Sequence, residues 1–338
     1  MSQKTTAVRT GKKKRWGEIG FVIGLMAIPV LHFLIFWLYI NADSILMSFQ
    51  QLDRIEGAFS FFKRDPVTEE IVGLVGFDNY RQLFAEFTKP GSVLPKALLN
   101  SFSVFLWNDF VIIPVSLFFA YILYKKVPLG NTFKVIFFLP SIISVVVLTL
   151  AFSYIFNFSV PEFLRESGII ALFERNGWDT EKILPFLGYF ADPKWAWGMI
   201  LFYGLWSGIG NNIVLMSGSM ARIPEDVIEA GKIDGLNMLK EFWYVVIPLI
   251  GPTISTLLLM GSAVIFTYFL QPQLLLGANA ATSGGYTIGL YIVSNVKEGG
   301  TVQMPMGATI GVMCALVGTP IVVLFRKALD KLFPAYEY

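Results

Sequence analysis

Six long apolar runs divide the chain and set its organisation. A helix needs about twenty apolar residues to cross the hydrocarbon core of a bilayer, and each run is about that long. The runs cover residues 19–40, 98–124, 135–158, 195–219, 245–270 and 306–325. This pattern predicts an all-α polytopic membrane protein with six transmembrane helices.

Basic residues cluster in four of the segments that flank these runs. The clusters are Lys12, Lys13, Lys14 and Arg15; Lys125, Lys126 and Lys134; Arg222, Lys232 and Lys240; and Arg326, Lys327 and Lys331. With six crossings, all four clusters fall on one side, which the positive-inside rule makes cytoplasmic. Both termini are therefore predicted to be cytoplasmic.

The same pattern predicts a division of the chain into segments. These are a cytoplasmic arm at 1–18, a first transmembrane helix at 19–40, an extracellular loop or short ordered cap at 41–97, a core of five transmembrane helices at 98–325, and a cytoplasmic tail at 326–338. The basic arm before an apolar run is also typical of a signal peptide. The apolar run continues for about twenty residues without a small-x-small cleavage site, so an uncleaved spanning helix is expected.

Composition supports the membrane class and excludes several kinds of chemistry. The chain is 55% hydrophobic with a mean hydropathy of +0.62, which is more apolar surface than a soluble domain of this size buries. The single cysteine, Cys314, excludes an internal disulfide, and the single histidine, His32, excludes a histidine-rich metal site. No glycine-rich loop ends in Gly-Lys-Ser or Gly-Lys-Thr, and no Ser, His and Asp set suggests a triad. We therefore expect no catalytic site, no metal and no cofactor bound by this chain.

One polar passage, residues 222–243, lies between the fourth and fifth runs and has a definite internal pattern. Pro224 is suited to the first position of a helix, and Glu225 and Asp226 in the first turn favour the helix dipole. Gly235 can adopt the left-handed conformation that ends such a helix. The passage predicts a short cytoplasmic helix, a turn and a return to the membrane at Pro248.

This passage resembles the signature loop of binding-protein-dependent ABC importer permeases. That pattern is Glu-Ala-Ala, three residues, Gly, nine residues and Ile-x-Leu-Pro; here it is Glu229, Ala230, Gly231, then Gly235, then Val245, Ile247 and Pro248. Gly231 replaces the second Ala, and Val and Ile replace Ile and Leu. The flanking Ile-Pro-Glu and Ile-Asp-Gly are similar to the carbohydrate branch, in particular to the larger permease of maltose-type systems.

Minor motifs extend the resemblance over residues 70–325. In order they are residues 76–80, Asn100-Ser101, residues 139–141, residues 154–157 and residues 191–193. The first is also an ordinary turn sequence. Their collinear order around the signature loop carries the resemblance.

The resemblance implies a type I importer fold and a set of partners. These are a second homologous permease, two ATP-binding subunits that use ATP and Mg, and an extracellular sugar-binding protein, in the cell membrane of a bacterium. The residues expected to couple to the ATPase are Glu225, Val227, Glu229, Ala230, Gly231, Asp234 and Gly235. The alternative is an amphipathic helix lying on the lipid surface, which would carry Lys and Arg on its polar face where this one carries acidic groups.

Polar and aromatic residues inside the spans are the candidates for contact with cargo, because such residues tend to face the bundle interior or a water-filled path. They are Tyr154, Asn157, Tyr203, Trp206, Asn211, Asn212, Ser262 and Tyr268. Aromatic faces and amides suit a sugar ring and its hydroxyl groups. Small residues and Asn are equally typical of tight helix packing, and Tyr154 and Tyr268 also fit an aromatic belt.

Asp109 beside Asn108 is the one acidic residue near the middle of a predicted span. It is open to two interpretations, a proton relay or a carboxyl hydrogen-bonded inside the bundle, with His32 or a partner subunit as its neighbour. The sequence thus predicts a permease subunit of an ATP-driven importer for a sugar or oligosaccharide, working by alternating access. The alternatives are an ion-coupled secondary transporter, a permease for a non-sugar cargo, and a scaffold without a pore.

Overall fold

A computed structural model describes residues 16–65, 67–68, 70–125, 127–180, 184–185, 188–280 and 282–334. The predicted basic cluster at Lys12, Lys13, Lys14 and Arg15 lies outside these residues, as does Lys126.

Five helices in the described part are long and apolar enough to cross a membrane, and a bent helix pair adds a sixth candidate. We number these spans 1 to 6 in chain order: Ile19–Met47, Leu94–Tyr124, Val145–Glu166, Ala196–Met220, the pair Met238–Leu249 and Gly251–Phe266, and Ile288–Leu332. The predicted all-α polytopic class is confirmed.

Several spans combine α-helical stretches with short π- or 3₁₀-helical segments. Span 1 holds α1 (Trp16–Phe33), π-helical Leu34–Tyr39 and α2 (Ile40–Met47). After α3 (Asp78–Thr88), span 2 holds α4 (Leu94–Trp107), π-helical Asn108–Ile112 and α5 (Ile113–Tyr124). After α6 (Gly130–Ile142), span 3 holds α7 (Val145–Tyr154), π-helical Ile155–Ser159 and α8 (Val160–Glu166), and α9 (Ile169–Arg175) follows.

The second half of the chain also combines α-helices with short π- or 3₁₀-helical segments. Span 4 is α10 (Ala196–Met220), and α11 (Glu225–Ile233) lies in the loop after it. Span 5 holds α12 (Met238–Glu241), π-helical Phe242–Val246, α13 (Ile247–Leu249), α14 (Gly251–Ala263) and 3₁₀-helical Val264–Phe266. Next come α15 (Leu270–Leu276) and the 3₁₀ turn Gly277–Ala280; span 6 then holds α16 (Ile288–Gly299), the 3₁₀ turn Gly300–Gln303 and α17 (Met304–Leu332).

The third apolar run is not one helix, although the sequence predicts a continuous span at 135–158. The chain leaves the helical conformation at Ile143 and Ser144, whose ψ angles are 141° and 131°. Pro140 lies just before this break and has no N–H to donate to the preceding turn. Apolar residues continue through the break, so a hydropathy pattern does not reveal it.

Span 5 bends by 71° between Leu249 and Gly251. Pro248 and Pro252 flank the bend, and neither supplies an N–H to the helical ladder. The segment Met238–Leu249 is therefore a short arm set at an angle to the rest of the span.

Span 6 begins earlier than the sequence predicts. The apolar run starts at residue 306, whereas the helical span starts at Ile288. Much of the segment between the fifth and sixth apolar runs, residues 271–305, is therefore helical, in α15 and α16.

The loop between spans 1 and 2 carries two small antiparallel hairpins. Strands β1 (Gln51–Asp53) and β2 (Ala58–Ser60) form one, and β3 (Phe62–Arg64) and β4 (Ile71–Leu74) form the other. Arg64 donates to Oδ2 of Asp53 at 2.7 Å and to Oε1 of Glu56 at 2.6 Å. The pKa of Asp53 is held below its ordinary value, first by the Ile55 N–H and then by Arg64.

The motif at 76–80 ties this loop to the bundle. The Asn79 side chain donates to the carbonyl oxygens of Ser48 at 2.9 Å and Gln50 at 2.8 Å. The hydroxyls of Ser48 and Tyr80 lie 2.8 Å apart, and Thr309 of span 6 donates to the Ser48 carbonyl at 3.3 Å. The motif thus joins α3 to the chain at the end of span 1, and Thr309 of span 6 binds the same point.

Buried apolar residues form a core among spans 2, 4 and 5. The largest cluster is Ile113, Leu117, Ala120, Tyr121, Leu123, Ile213, Met216, Met220, Ile223, Val246, Ile250, Ile254 and Leu257. Span 1 lies apart from this core, and the most apolar 18-residue stretch of that span buries none of its residues.

Candidate coupling loop and intramembrane cavity

Helix α11 begins one residue later than the sequence predicts. Pro224 precedes the helix in an extended conformation, with a ψ of 136°, and Glu225 is the first helical residue. Glu225 and Asp226 occupy the first turn, and Lys232 lies in the last. Both signs of charge therefore complement the helix dipole.

The end of α11 is a Schellman motif built on Gly235. The φ of Gly235 is +78°, in the left-handed region predicted for it. The Leu236 N–H donates to the Gly231 carbonyl at 3.0 Å, and the Gly235 N–H donates to the Lys232 carbonyl at 3.1 Å. This pair of bonds satisfies carbonyls that the helix end would otherwise leave free.

The predicted coupling residues lie mainly on an exposed surface. Glu225, Val227, Glu229, Ala230, Asp234 and Gly235 are exposed, whereas Gly231 is buried. A Cβ at Gly231 would lie 2.9 Å from Cδ1 of Leu236. The absence of a side chain at Gly231 therefore leaves room for the Leu236 side chain to pack against the end of the helix. That the exposed residues bind an ATPase stays a prediction.

A groove of about 760 Å³ separates α11 from the segment between spans 2 and 3. Its lining includes Lys125, Lys134 and Lys232 together with Glu225 and Glu229. Three lysines from two of the predicted basic clusters therefore lie at one end of the bundle.

Two anchors hold the ends of this loop, and the sequence pattern indicates neither of them. Ile223 is 5% exposed and belongs to the core cluster of spans 2, 4 and 5. At the other end, Lys125 of the segment after span 2 pairs with Glu241 of α12 at 2.5 Å. In the sequence, Glu241 stands out only as an acidic residue just before an apolar run. The pairing is not apparent, because Lys125 is 116 positions away.

A second cavity, of about 130 Å³, lies among spans 2, 4 and 5. Its lining is Val104, Trp107, Asn108, Ile112, Ile200, Leu201, Tyr203, Gly204, Ser207, Gly208, Val264, Tyr268 and Gln271. Two of the predicted cargo residues, Tyr203 and Tyr268, meet there. Trp107 and Gln271 also line the cavity, although neither is among the residues predicted to contact cargo. Gln271 follows the end of its apolar run, so the pattern gives no signal for it.

Hydrogen bonds fix the wall of this cavity. Tyr203 is 2% exposed, and its hydroxyl accepts from Thr149 of span 3 at 2.8 Å. The Ser207 hydroxyl donates to the Tyr203 carbonyl at 2.8 Å, and the Trp107 indole donates to the Leu201 carbonyl at 2.9 Å. These bonds tie spans 2, 3 and 4 together around the cavity.

The other predicted cargo residues lie outside the cavity lining. In span 3, Tyr154 is 63% exposed beside Phe158, and the Asn157 amide donates to the Ser153 hydroxyl at 3.2 Å. In span 4, Trp206 stacks on Phe152, Asn211 is exposed and Asn212 is half-buried. In span 5, the Ser262 hydroxyl donates to the Leu259 carbonyl. The contacts of Trp206 and Ser262 are those of helix packing. Their contact with cargo stays a prediction.

Asp109 is buried in the π-helical segment of span 2. Oδ1 of Asp109 accepts from the Asn108 amide at 2.9 Å, and Oδ2 has no hydrogen-bond partner among the described residues. A Cβ at Gly261 of span 5 would overlap this carboxylate, so spans 2 and 5 are in close contact here. The expected neighbour His32 lies on exposed span 1 with its ring against Phe36.

The family model described as "Binding-protein-dependent transport system inner membrane component" matches residues 112–333. This range holds the polar passage at residues 222–243 and most of the cavity lining. The chain belongs to this family. The predicted importer-permease resemblance is thereby confirmed, and so is the expectation of a transport subunit that does not hydrolyse ATP itself.

Among the curated proteins that resemble this inner membrane component, two match along most of their length and a third matches over a shorter segment. The arabinooligosaccharides transport system permease protein AraP of Bacillus subtilis is 27% identical over 292 residues, which cover 85% of this chain and 82% of AraP. The multiple sugar-binding transport system permease protein MsmF of Streptococcus mutans is 26% identical over 269 residues, covering 78% and 86%. The maltose/maltodextrin transport system permease protein MalF of Vibrio vulnificus is 32% identical over 126 residues, covering 36% and 24%.

A solved structure confirms the fold of this inner membrane component. A chain of a bacterial ABC transporter involved in the import of alginate, an acidic polysaccharide, superposes with a TM-score of 0.70 at 18% sequence identity. The match covers 94% of this chain and 99% of the other. At this level of identity the likeness shows the fold alone.

Proposed function

We propose that this inner membrane component is the permease subunit of an ATP-driven importer for a sugar or oligosaccharide, which it moves by alternating access. The observation that carries the proposal is the family match over residues 112–333, with relatives named for arabinooligosaccharides, multiple sugars and maltodextrin. The exposed helix α11 supports it, since such a helix is available to a separate ATP-binding subunit.

The chemistry of the cavity supports a sugar as the cargo. Tyr203 and Tyr268 offer ring faces, and Asn108, Ser207 and Gln271 offer groups that both donate and accept hydrogen bonds. No ionised side chain is among the residues described as its lining, which disfavours an amino acid or polyamine.

The size of the cavity supports movement between two states. Pockets that hold small molecules enclose about 300–1,000 Å³. The volume here is about 130 Å³. Cargo therefore enters only when the spans separate or when a second subunit completes the wall.

The proposed assembly contains a second, similar permease, two ATP-binding subunits and a sugar-binding protein, which is expected to be a lipoprotein. ATP and Mg would bind the ATP-binding subunits, with no cofactor held by this chain.

Both termini are proposed to lie in the cytoplasm of a bacterium. In support, Lys125, Lys134 and Lys232 line one groove at the end of the bundle that carries α11. Phe333, close to the C-terminus, packs on Gly251 at the same end. Basic residues prefer the cytoplasmic face.

The test is uptake by the complex purified from native membranes and reconstituted in liposomes with its binding protein. The probes are neutral disaccharides to pentasaccharides, an alginate pentasaccharide, an amino acid mixture and spermidine. The proposal expects uptake of a saccharide that needs ATP, ignores a proton uncoupler, and is abolished by Glu229→Lys through loss of the ATP-binding subunits.

Three results would overturn the proposal. Uptake that stops with the uncoupler but survives ATP depletion would indicate a secondary transporter. Uptake of spermidine or amino acids alone would remove the sugar assignment. ATP hydrolysis that no probe stimulates, with no uptake, would indicate a scaffold.

A further inference from the structure

A charged contact joins span 2 to the short arm Met238–Leu249, and we call it the clasp. It consists of Tyr121, Lys125, Met238 and Glu241. Lys125 Nζ lies 2.5 Å from Oε1 and 2.7 Å from Oε2 of Glu241. The Tyr121 hydroxyl donates to the Met238 carbonyl at 2.8 Å and to Oε1 of Glu241 at 3.3 Å. Two donor groups thus make four hydrogen bonds to one turn of the arm.

Burial distinguishes this pair from an ordinary surface ion pair. The side chain of Glu241 is 6% exposed and that of Lys125 is 25% exposed. In contrast, Arg326 and Asp330 are 70% and 64% exposed and 3.9 Å apart. Removing one member of a buried pair leaves an uncompensated charge, which costs far more than losing an exposed pair. Loss of either member is therefore expected to disturb the contact between span 2 and the arm.

The clasp connects elements that the chain itself does not join. The arm follows the coupling loop directly, and the 71° bend at Ile250 separates it from the rest of span 5. Span 2 lies more than 100 positions earlier, and the Lys125–Glu241 bonds link residues 116 positions apart. A displacement of α11 reaches the arm through the backbone. From the arm, the clasp and the packing of Phe242 on Tyr121, whose ring centroids are 4.8 Å apart, both lead to span 2.

Span 2 also forms part of the cavity wall. Trp107, Asn108 and Ile112 of this span line the cavity. Asn108 and Ile112 bound the π-helical segment of span 2, a feature common at functional sites in helices. A movement of span 2 therefore changes the shape of the cavity.

We propose that Lys125 and Glu241 make span 2 follow the coupling loop, so that displacement of α11 moves the cavity wall. They are positioning residues, since neither lines the cavity of about 130 Å³. This inference rests on the proposed function and adds to it a mechanical link between α11 and the cavity wall.

The first test compares uptake with ATP hydrolysis in the complete reconstituted complex, using the saccharide that the uptake panel identifies. The variants are Lys125→Met, Glu241→Gln and the exchanged pair Lys125→Glu with Glu241→Lys. Lys240→Met is the matched control, because Lys240 is an exposed lysine of the same short helix. Each single variant is expected to lower uptake per ATP hydrolysed by about tenfold, and the exchanged pair to restore most of it.

The second test needs no cargo. Spin labels at Phe118→Cys and Leu239→Cys, in a Cys314→Ser background, report the distance between span 2 and the arm, since both side chains are exposed. With the clasp intact, the distance stays constant when a non-hydrolysable ATP analogue is added. In the Glu241→Gln background the analogue is expected to change or broaden it.

The outcomes separate the inference from the proposed function. Single variants with wild-type uptake per ATP, or a label distance that responds alike with and without Glu241, would overturn the clasp as a link. Variants that yield less complex but normal uptake per ATP would assign it a purely structural role and also overturn the inference. A wild-type complex without ATP-dependent uptake would overturn the proposed function itself.

Discussion

Leu236 folds back over Gly231, donating its backbone N–H to the Gly231 carbonyl at 3.0 Å while its side chain covers the glycine. This contact ends α11 and turns the chain towards span 5. Gly235, in the left-handed conformation between them, makes the reversal possible.

The first prediction concerns this turn. Gly235→Val should destabilise it by about 1–2 kcal/mol, because a branched side chain is strained at a positive φ, whereas Gly235→Asn should cost less. Gly231→Ala should be mild, since only the flexible end of Leu236 must shift. The measurement is the affinity of the purified permease for its ATP-binding subunits. Equal affinities for the Val and Asn variants would contradict the assigned role of Gly235.

The second prediction concerns the packing of α6 on span 4. A Cβ at Gly210 would overlap the backbone carbonyl of Phe137, which cannot move aside as a side chain can. Gly210→Ala should therefore lower the stability of the complex by about 2 kcal/mol or more. Thermal unfolding in detergent measures it, with Gly218→Ala as the matched control because that position of the same helix is open. Similar melting temperatures for the two variants would show that α6 does not lie against span 4.

The third prediction concerns Asp109. A hydrogen-bonded structural carboxyl is expected to tolerate Asp109→Asn, since the amide has nearly the same shape and the Asn108 contact needs only an oxygen acceptor. ATP-driven uptake should then stay within about threefold of wild type and ignore a proton uncoupler. Abolished uptake by a fully assembled Asp109→Asn complex would instead favour the proton relay.

The fourth prediction compares a polar residue that lines the cavity with a polar residue of span 4 that lies outside it. Gln271 lines the cavity, whereas Asn211 is exposed outside it. Loss of one hydrogen bond to cargo costs about 1 kcal/mol or somewhat more, so Gln271→Ala should raise the half-saturating saccharide concentration about fivefold to tenfold. Asn211→Ala should leave it unchanged. The reverse pattern would move the cargo path to the other face of span 4.

Much of the fold follows from the sequence because its strongest signals are local. Apolar length gives the number and approximate position of the spans, and the order of Pro224, Glu225 and Gly235 locates the start of α11 to within one residue. The breaks at Ile143 and Ile250 are not visible in hydropathy, since apolar residues continue through them.

The candidate site was harder to predict because its contacts are long-range. Tyr203 and Tyr268 stand out in the sequence as aromatic residues near polar neighbours, yet Gln271 joins them only through the path of the chain after span 5. The pairing of Lys125 with Glu241 depends on how two distant segments pack. Asn211 and Trp206 have the right chemistry, but their positions on the helix direct them away from the cavity.

The central claim is that α11 is the contact with an ATP-binding subunit, and photo-cross-linking tests it most directly. A benzophenone amino acid replaces exposed Val227 in whole cells, and the same group at exposed Tyr154 of span 3 serves as the control. The account predicts a cross-link from position 227 to an ATP-binding subunit and none from position 154. Cross-linking of position 227 to lipid alone would contradict the account and favour a helix that lies on the membrane surface.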